Sequence, residues 1–233
     1  MYEVIILAGG LGTRLRSAVP NLPKCMAPVN GKPFIGYVIE YFKNQGVTKF
    51  IFSLGYMHEV LTEYISTTYP TLSFQFVIEE EPLGTGGAIK FACTKATEKQ
   101  VFVTNGDTLF TVDISQIFKQ HLESSAVCTL ALKPMFNFER YGVVEIDSNE
   151  RITSFKEKKH YETGLINGGL YLLDVSKFLE QTFPDKFSFE KEFLESTYQE
   201  QLMNGVVQNT YFIDIGIPED YKKVQIDFLE MKF

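Results

Sequence analysis

The chain has 233 residues, of which 22 are Lys or Arg and 29 are Asp or Glu, so its formal net charge is −7. Its content of 45% hydrophobic and 22% charged residues is that of an ordinary globular protein, which excludes disorder, collagen and coiled coil as descriptions of the whole chain. The acidic balance argues against general nucleic-acid binding, because such binding needs a basic face that displaces counterions.

The sequence favours the reducing cytoplasm and no membrane partner. No apolar run approaches the roughly 18–20 residues that a membrane-spanning helix needs. The first residues carry an acid, Glu3, where a secretory signal would carry basic residues, so they predict a strand. Cys25, Cys93 and Cys128 are odd in number and lack the short spacing of a metal site, which favours free thiols in a reducing compartment.

Predicted strands and helices alternate in the first half of the chain. The predicted strands are Val4–Leu7, Phe50–Leu54, Phe74–Ile78 and Gln100–Thr104. The predicted helices are Pro33–Gln45, His58–Ser66, Gly87–Ala96 and one that Asp113 caps and that ends at Leu122. This order predicts parallel βαβ units in a doubly wound sheet with helices on both faces. Ligands of such sheets bind beyond the carboxyl ends of the strands, so we expect a site formed by the loops after Leu7, Ile78 and Thr104.

The second half has shorter strands and fewer helices. Its predicted strands are Val127–Leu132, Gly142–Ile146, Ile152–Phe155, Gly169–Leu173 and Val206–Ile213, and its predicted helices are Pro184–Asn204 and Pro218–Glu230. We expect these strands to lie antiparallel beside the first sheet. The prediction is therefore a single α/β domain over residues 1–233 with a Rossmann-like mixed sheet.

A glycine-rich segment, Leu7-Ala8-Gly9-Gly10-Leu11-Gly12-Thr13-Arg14-Leu15, follows the first strand. Glycines let a backbone turn sharply and present N–H groups to phosphate oxygens. A Walker loop would need Gly-Lys-Ser/Thr, and a dinucleotide fingerprint would need glycine where Leu15 stands. A simple tight turn would need neither Arg14 nor Lys24, both of which can bind phosphate. A dinucleotide-dependent oxidoreductase is thus disfavoured, and a phosphate-binding loop of another kind is favoured.

That segment, with Pro23-Lys24 after it, resembles the signature of the sugar-1-phosphate nucleotidyltransferase family. Four further segments resemble the family's motifs in the expected order: Glu81–Ala88 (EPLGTGGA), Asn105-Gly106-Asp107, Phe155–Lys158 (FKEK) and Asp214–Pro218 (DIGIP). Together they span nearly the whole chain. Enzymes of this family join a sugar 1-phosphate to a nucleoside triphosphate and release pyrophosphate. The resemblance implies a nucleotide-binding portion, residues 1–125, and a sugar-binding portion, residues 126–233.

The resemblance implies a set of nucleotide-binding residues in the first portion. They are Leu7, Ala8, Gly9, Gly10, Gly12, Thr13, Arg14, Lys24, Glu81, Pro82, Gly84, Thr85, Gly86 and Asp107. Arg14, Lys24 and Asp107 would be catalytic. Arg14 would hold the leaving pyrophosphate, and Lys24 would stabilise charge on the reacting phosphates. Read without the resemblance, the glycines of Glu81–Ala88 are equally typical of a plain loop before a helix.

The resemblance also implies a magnesium site. Asp107 and Asp214 each follow a predicted strand, and Mg²⁺ in proteins is often held by one or two carboxylates together with substrate phosphates. Taken alone, an aspartate after a strand is more often a turn or helix-capping residue. The family's matching aspartates bind the metal, which favours the functional role for both.

Four residues of the second portion are implied to bind the sugar: Gly142, Glu157, Lys158 and Asn167. Glu157 would accept sugar hydroxyls, and Lys158 would bind the sugar phosphate. The alternative reading is a solvated charged run at Lys156–Lys159, a glycine at a strand start and an asparagine in a turn. Lys159 stands where the family commonly has proline.

The form of the Glu81–Ala88 segment is most similar to the guanylyltransferase branch of the family, which implies GTP as the nucleotide. The whole chain is most similar to the branch that uses D-glycero-α-D-manno-heptose 1-phosphate, for a bacterial surface polysaccharide, with mannose 1-phosphate as the near alternative. A noncatalytic regulator that binds a nucleotide sugar is the alternative from another class. A homo-oligomer is compatible with the resemblance.

Overall fold

The computed structural model describes residues 1–10, 15, 19–200 and 202–231. The strands are β1 (Tyr2–Leu7), β2 (Pro28–Val29), β3 (Lys32–Pro33), β4 (Val47–Leu54), β5 (Ser73–Ile78), β6 (Gln100–Asn105), β7 (Thr108–Phe110), β8 (Cys128–Phe138), β9 (Val143–Ile146), β10 (Ile152–Lys156), β11 (Tyr161–Asp174), β12 (Met203–Val207) and β13 (Phe212–Asp214). The helices are α1 (Phe34–Asn44), α2 (His58–Thr68), α3 (Gly84–Cys93), α4 (Ile114–Ser124), α5 (Val175–Leu179) and α6 (Pro218–Glu230), and residues Phe189–Glu195 form a π-helical segment.

The first half builds the parallel part of the sheet, as predicted. Strand β1 lies between β4 and β6, and β5 extends the row beyond β4, all of them parallel. Because β1 is covered on both faces, its run is continuously apolar: Val4 and Ile6 belong to the core beneath α1, α2, α4 and α6, whereas Ile5 belongs to the core beneath α3, α5 and the π-helical segment. The doubly wound mixed sheet with helices on both faces is confirmed.

The second half adds antiparallel strands to the same sheet. Strand β11 runs antiparallel to β6 and also pairs with β8 and β9, while β10 pairs with β9. Among the described residues the sheet contains nine strands in all. Both β8 and β11 are far longer than predicted, because their outer ends continue as a two-stranded ribbon in which Tyr161 pairs with Phe138.

The prediction of a helix over 184–204 was wrong in its second part. Only the π-helical segment and the few residues after it are helical, and Met203–Val207 is a strand that lies parallel to β8. Four of its five residues are buried, so the segment is a short core strand beside β8. The predicted strand 206–213 is likewise two strands, because residues 208–211 leave the sheet between β12 and β13.

A two-stranded sheet apart from the main one ties the end of the chain to the site. Strand β13 pairs antiparallel with β7, so that Asp214 lies opposite Thr108. Helix α6 follows and packs on α1, where the rings of Phe228 and Phe34 stack with centroids 6.0 Å apart. No helix in the described part of the chain is long and apolar enough to cross a membrane.

Candidate active site

A cleft of about 870 Å³ lies where the sequence predicted it, beyond the carboxyl ends of β1, β4, β5 and β6. Eight of the predicted nucleotide-binding residues line this cleft: Leu7, Gly9, Gly10, Lys24, Pro82, Gly84, Thr85 and Asp107. They come from separate loops that only the parallel sheet brings to one edge. We call this space the nucleotide cleft, after the ligand that the sequence resemblance implies.

Three other predicted nucleotide-binding residues lie behind or outside its wall. Ala8 is buried and donates its N–H to the carbonyl of Ser53 at 2.8 Å. Glu81 is exposed. Gly86 donates its N–H to the carbonyl of Phe187 at 2.9 Å, and a Cβ at this position would overlap the Phe187 ring. The glycine therefore permits close packing of α3. Gly12, Thr13 and Arg14 lie outside the described residues.

The glycines of the Glu81–Ala88 segment belong to the first turn of α3, which begins three residues before the predicted start. The loop before that turn is fixed by Glu79, whose carboxylate accepts the N–H of Leu83 at 3.0 Å. Sequence reasoning placed the loop after Ile78 at the site but assigned no role to Glu79, and it missed other residues that line the nucleotide cleft: Ser53, Gly55, Tyr56 and His58. All of these lie at or just beyond the ends of β4 and β5, so the edge rule of parallel sheets was the available signal.

The charged centre of the nucleotide cleft consists of Lys24, Asp107 and Asp214. The Lys24 Nζ atom lies 2.7 Å from Asp107 Oδ2 and 3.1 Å from Asp214 Oδ1. The two aspartates meet because β13 pairs with β7, and the N–H of Ile215 donates to the carbonyl of Asp107 at 3.1 Å. The N–H of Gly216 fixes Asp214 Oδ1 at 2.8 Å. The structure thus brings the two predicted metal ligands to one point.

Lys24 remains cationic in this setting. Burial alone would lower the pKa of Lys24, but the charges of Asp107 and Asp214 and the hydrogen bonds to them raise it above the ordinary lysine value. The side chain therefore presents a fixed positive charge at the floor of the cleft.

The two aspartates also suit a hard divalent cation. No cluster of three or more His, Cys, Asp or Glu side chains with metal-binding geometry occurs in the described residues. A pair of carboxylates is the donor set of a Mg²⁺-like ion that takes its other ligands from substrate phosphates and water. Asp107 and Asp214 fit such an ion.

A second cavity, of about 670 Å³, adjoins the first, and Asn105 lines both. All four predicted sugar-binding residues line it: Gly142, Glu157, Lys158 and Asn167. Strands β9 and β10 pair at Val143 and Lys156, which brings the two loops together. A Cβ on Gly142 would overlap the carbonyl of Lys156, so this close approach requires glycine. We call this space the sugar cavity, after the ligand that the sequence resemblance implies.

Asn167 is held in one orientation at the inner end of the sugar cavity. Its Nδ2 donates to the hydroxyl oxygen of Tyr171 at 2.9 Å, and its Oδ1 accepts the N–H of Gly169 at 3.0 Å. Burial raises the pKa of Tyr171 well above its ordinary value. The phenol is therefore a neutral hydroxyl at physiological pH.

The π-helical segment supplies a wall of the sugar cavity that sequence reasoning missed. Ser188, Glu190, Lys191, Leu194 and Glu195 all line it. Burial and the nearby charges of Glu157 and Glu190 raise the pKa of Glu195, which Lys191 and Lys158 partly offset. Carboxylates and lysines thus lie close together on this wall. Helical periodicity in the sequence does not reveal the π geometry of the segment.

Cys25 adjoins Lys24 in the sequence but is not a reactive thiol. It is buried, and burial together with the charge of Asp107 raises its pKa to about 12. The thiol is therefore protonated at physiological pH and unable to act as a nucleophile.

The family model described as "Nucleotidyl transferase" matches residues 3–230 of the chain. The chain belongs to the nucleotidyl transferase family. This membership confirms the resemblance that the five ordered motifs indicate.

Two similar members of the nucleotidyl transferase family match nearly end to end. The chain is 49% identical over 223 residues to the D-glycero-α-D-manno-heptose 1-phosphate guanylyltransferase of Aneurinibacillus thermoaerophilus. The alignment covers 96% of this chain and 96% of that protein. The chain is 45% identical over 219 residues to the protein of the same name from Campylobacter jejuni, covering 94% and 96%.

Among solved structures, the chain is similar to HddC from Yersinia pseudotuberculosis complexed with GMP-PN. The TM-score is 0.88 at 39% sequence identity, and the match covers 98% of this chain and 100% of that chain. The fold of this nucleotidyl transferase is thus that of a solved protein in complex with a guanine nucleotide.

Proposed function

We propose that this enzyme transfers a guanylyl group from GTP to D-glycero-α-D-manno-heptose 1-phosphate, giving GDP-heptose and pyrophosphate. The observation that carries the proposal is the junction of the two cavities: the Lys24–Asp107–Asp214 centre lines the nucleotide cleft, and Glu157 and Lys158 line the adjoining sugar cavity. The names of the relatives at 49% and 45% identity support the choice of GTP and heptose.

The reaction needs positioning and charge stabilisation more than a covalent nucleophile. A phosphate oxygen of the sugar 1-phosphate attacks the α-phosphorus of GTP, a new P–O bond forms, and the bond to the bridging oxygen breaks as pyrophosphate leaves with the electron pair. Among the described residues that line the nucleotide cleft, Lys24 carries a permanent positive charge. Its ammonium group stabilises the negative charge that spreads over the phosphate oxygens during the transfer.

Asp107 and Asp214 would hold a Mg²⁺ ion. When bound, such an ion acts as a Lewis acid on phosphate oxygens and neutralises part of their charge. The two carboxylates are kept in place without it by the N–H of Gly216 and by the ammonium group of Lys24.

In the sugar cavity, Lys158 is suited to the phosphate of the sugar and Glu157 to its hydroxyls. A lysine offers a point charge on a flexible stem, whereas a carboxylate accepts two or more hydroxyl hydrogen bonds. Asn167, which Tyr171 and Gly169 hold in place, adds a fixed amide at the inner end. We place the reaction in the cytoplasm, where the buried free thiols Cys25, Cys93 and Cys128 stay reduced.

The proposal is tested by incubating the purified protein with Mg²⁺, each of GTP, UTP, dTTP, CTP and ATP, and a panel of sugar 1-phosphates that includes the heptose and mannose. We expect pyrophosphate release to be fastest with GTP and the heptose, and to be lost in Asp107→Asn. Release with UTP or dTTP but not GTP would overturn the guanylyl assignment. Faster turnover of mannose 1-phosphate would replace the sugar, and GTP binding without any turnover would favour a noncatalytic regulator.

A further inference from the structure

A hydrogen-bonded bridge joins the nucleotide cleft to the sugar cavity. Thr85 lines the nucleotide cleft, whereas Ser188 and Glu190 line the sugar cavity. The Thr85 hydroxyl donates to Glu190 Oε2 at 2.7 Å, and the Ser188 hydroxyl donates to the same oxygen at 3.0 Å. The two substrate sites therefore share one carboxylate.

The bridge fixes the Thr85 side chain in both directions. While its hydroxyl donates to Glu190, its oxygen accepts the N–H of Phe189 at 2.9 Å. A hydroxyl that is donor and acceptor at once has a single rotamer available, and a charged acceptor strengthens the hydrogen bond that it receives. The carboxylate of Glu190 is thus linked directly to the first turn of α3.

Holding the two segments together does not require this bridge. The N–H of Gly86 already donates to the carbonyl of Phe187 at 2.9 Å, and the N–H of Phe187 donates to the carbonyl of Leu83 at 3.0 Å. These backbone bonds attach the segment before Phe189 to the start of α3. The carboxylate of Glu190 is therefore not needed to attach these two segments, and it lies on the wall of the sugar cavity.

The other carboxylate oxygen of Glu190, Oε1, is the atom of the bridge that is available to a ligand. In the described part of the chain Oε1 accepts no hydrogen bond, whereas Oε2 accepts two. A half-buried carboxylate oxygen on the wall of a cavity for a polyhydroxylated ligand is a strong acceptor for a hydroxyl group.

We propose that Glu190 couples the two substrates: its Oε1 accepts a hydroxyl of the sugar 1-phosphate while its Oε2 positions Thr85 against the nucleotide, so that each substrate tightens the binding of the other. The inference rests on the proposed function, since it takes the second cavity to be the sugar site. Glu190 is a sugar-binding residue here, and Thr85 is a positioning residue that acts through it.

The coupling is measured by calorimetry with a non-hydrolysable GTP analogue and the heptose 1-phosphate in the presence of Mg²⁺. For the wild type we expect the analogue to increase the affinity for the sugar phosphate about fivefold or more, with the same factor in the reverse order of addition. In Thr85→Val this factor falls to about one, because the hydroxyl that joins Thr85 to Glu190 is gone. Thr85→Ser, which keeps the hydroxyl, retains it.

Thr94→Val is the matched control, since Thr94 is an exposed threonine after the same helix that donates only to the carbonyl of Phe91. It should leave coupling and stability unchanged. Glu190→Gln keeps an acceptor for Thr85 and Ser188 but removes the charge, and it serves if Thr85→Val folds poorly. We expect Glu190→Gln to raise the KM for the sugar phosphate about 10-fold or more with little change in the KM for GTP.

Three results would overturn this inference without touching the proposed function. They are an equal loss of coupling in Thr85→Val and Thr85→Ser, a Thr85→Val effect on GTP affinity only, and a coupling factor of one in an active wild-type enzyme. Absence of pyrophosphate release with every sugar 1-phosphate would overturn the proposed function instead, and the binding experiment would still report the coupling. A wild type that binds no sugar phosphate would overturn both.

Discussion

Asp107 and Asp214 share the ammonium group of Lys24, although they come from opposite halves of the chain. The lysine keeps the two carboxylates from repelling each other before substrate arrives. The three side chains together leave one net negative charge, which suits a divalent cation and still places a positive group within reach of phosphate. In a protein of net charge −7, this centre thus presents one fixed positive group to an anionic substrate, beside a carboxylate pair that a divalent cation would neutralise.

Replacement of Lys24 tests this arrangement. Lys24→Met should lower kcat for pyrophosphate release about 10²- to 10³-fold, because a preorganised charge on the reacting phosphates is lost. Lys119→Met removes an exposed lysine on α4 and should leave kcat unchanged. A Lys24→Met enzyme with wild-type kcat would exclude Lys24 from the transfer step.

Removal of the Asp214 carboxylate should raise the Mg²⁺ concentration that the enzyme needs for activity. In Asp214→Asn we expect the Mg²⁺ concentration for half-maximal activity to rise about tenfold or more, since one charged ligand of a hard cation becomes a neutral one. Titration of Mg²⁺ after treatment with a chelator gives this value. The control is Asp185→Asn, which changes an exposed aspartate. An equal Mg²⁺ requirement in the two variants would contradict the assignment of Asp214 as a metal ligand.

Gly87 provides a test of packing beneath the nucleotide cleft. A glycine inside a helix is ordinarily improved by alanine, by about 0.5–1 kcal/mol. At Gly87 a Cβ would overlap the backbone carbonyl of Asp185 and lie 2.8 Å from the Cβ of Leu83. Gly87→Ala should therefore lower the free energy of unfolding by about 1–3 kcal/mol. Urea denaturation measures it, with the exposed Thr94→Ala as control, and a stabilised Gly87→Ala protein would refute the close contact.

Acid should destabilise the fold through His121. The ring is buried and its Nδ1 lies 2.8 Å from Thr129 Oγ1. Burial is the main cause that lowers its pKa to about 4. The unfolded chain, with an ordinary pKa near 6.5, binds the proton first, so this part of the stability is complete above pH 6.5 and declines as the pH falls towards 4. The loss should reach about 3 kcal/mol.

The measurement for His121 is the urea midpoint between pH 7 and pH 4.5. His121→Gln should show a flatter dependence on pH than the wild type, whatever its stability at pH 7, and the exposed His160→Gln should follow the wild-type curve. Parallel curves for all three proteins would show that His121 does not titrate with unfolding.

The sequence predicted best where one principle governs a segment. Strand β1 was predicted correctly because its residues are continuously apolar. The start of α6 was predicted correctly because proline is favoured in the first turn of a helix. The meeting of Lys24, Asp107 and Asp214 follows from the β13–β7 pairing, which periodicity cannot reveal, and it was anticipated only through family resemblance. That resemblance also located Glu157 and Lys158 at the sugar cavity, even though Lys159 replaces the usual proline.

What the sequence could not provide depends on contacts between distant segments. The π-helical segment lies within a longer predicted helix, since its apolar spacing matches both, and the cavity-lining residues Glu190 and Glu195 were therefore missed. The packing role of Gly86 was missed because a glycine motif carries no sign of which atoms approach it. Its neighbour is the Phe187 ring, more than 100 positions along the chain.

The pairing of β13 with β7 also sets an order of events during synthesis. A ribosome that has released the chain only through β11 has delivered the loops after β1, β5 and β6, and with them Lys24 and Asp107. Asp214 arrives with the last strand, and α6 must then pack on α1 to keep that strand in place. A chain that lacks β13 therefore lacks Asp214, so the charged centre is complete only once β13 has paired with β7.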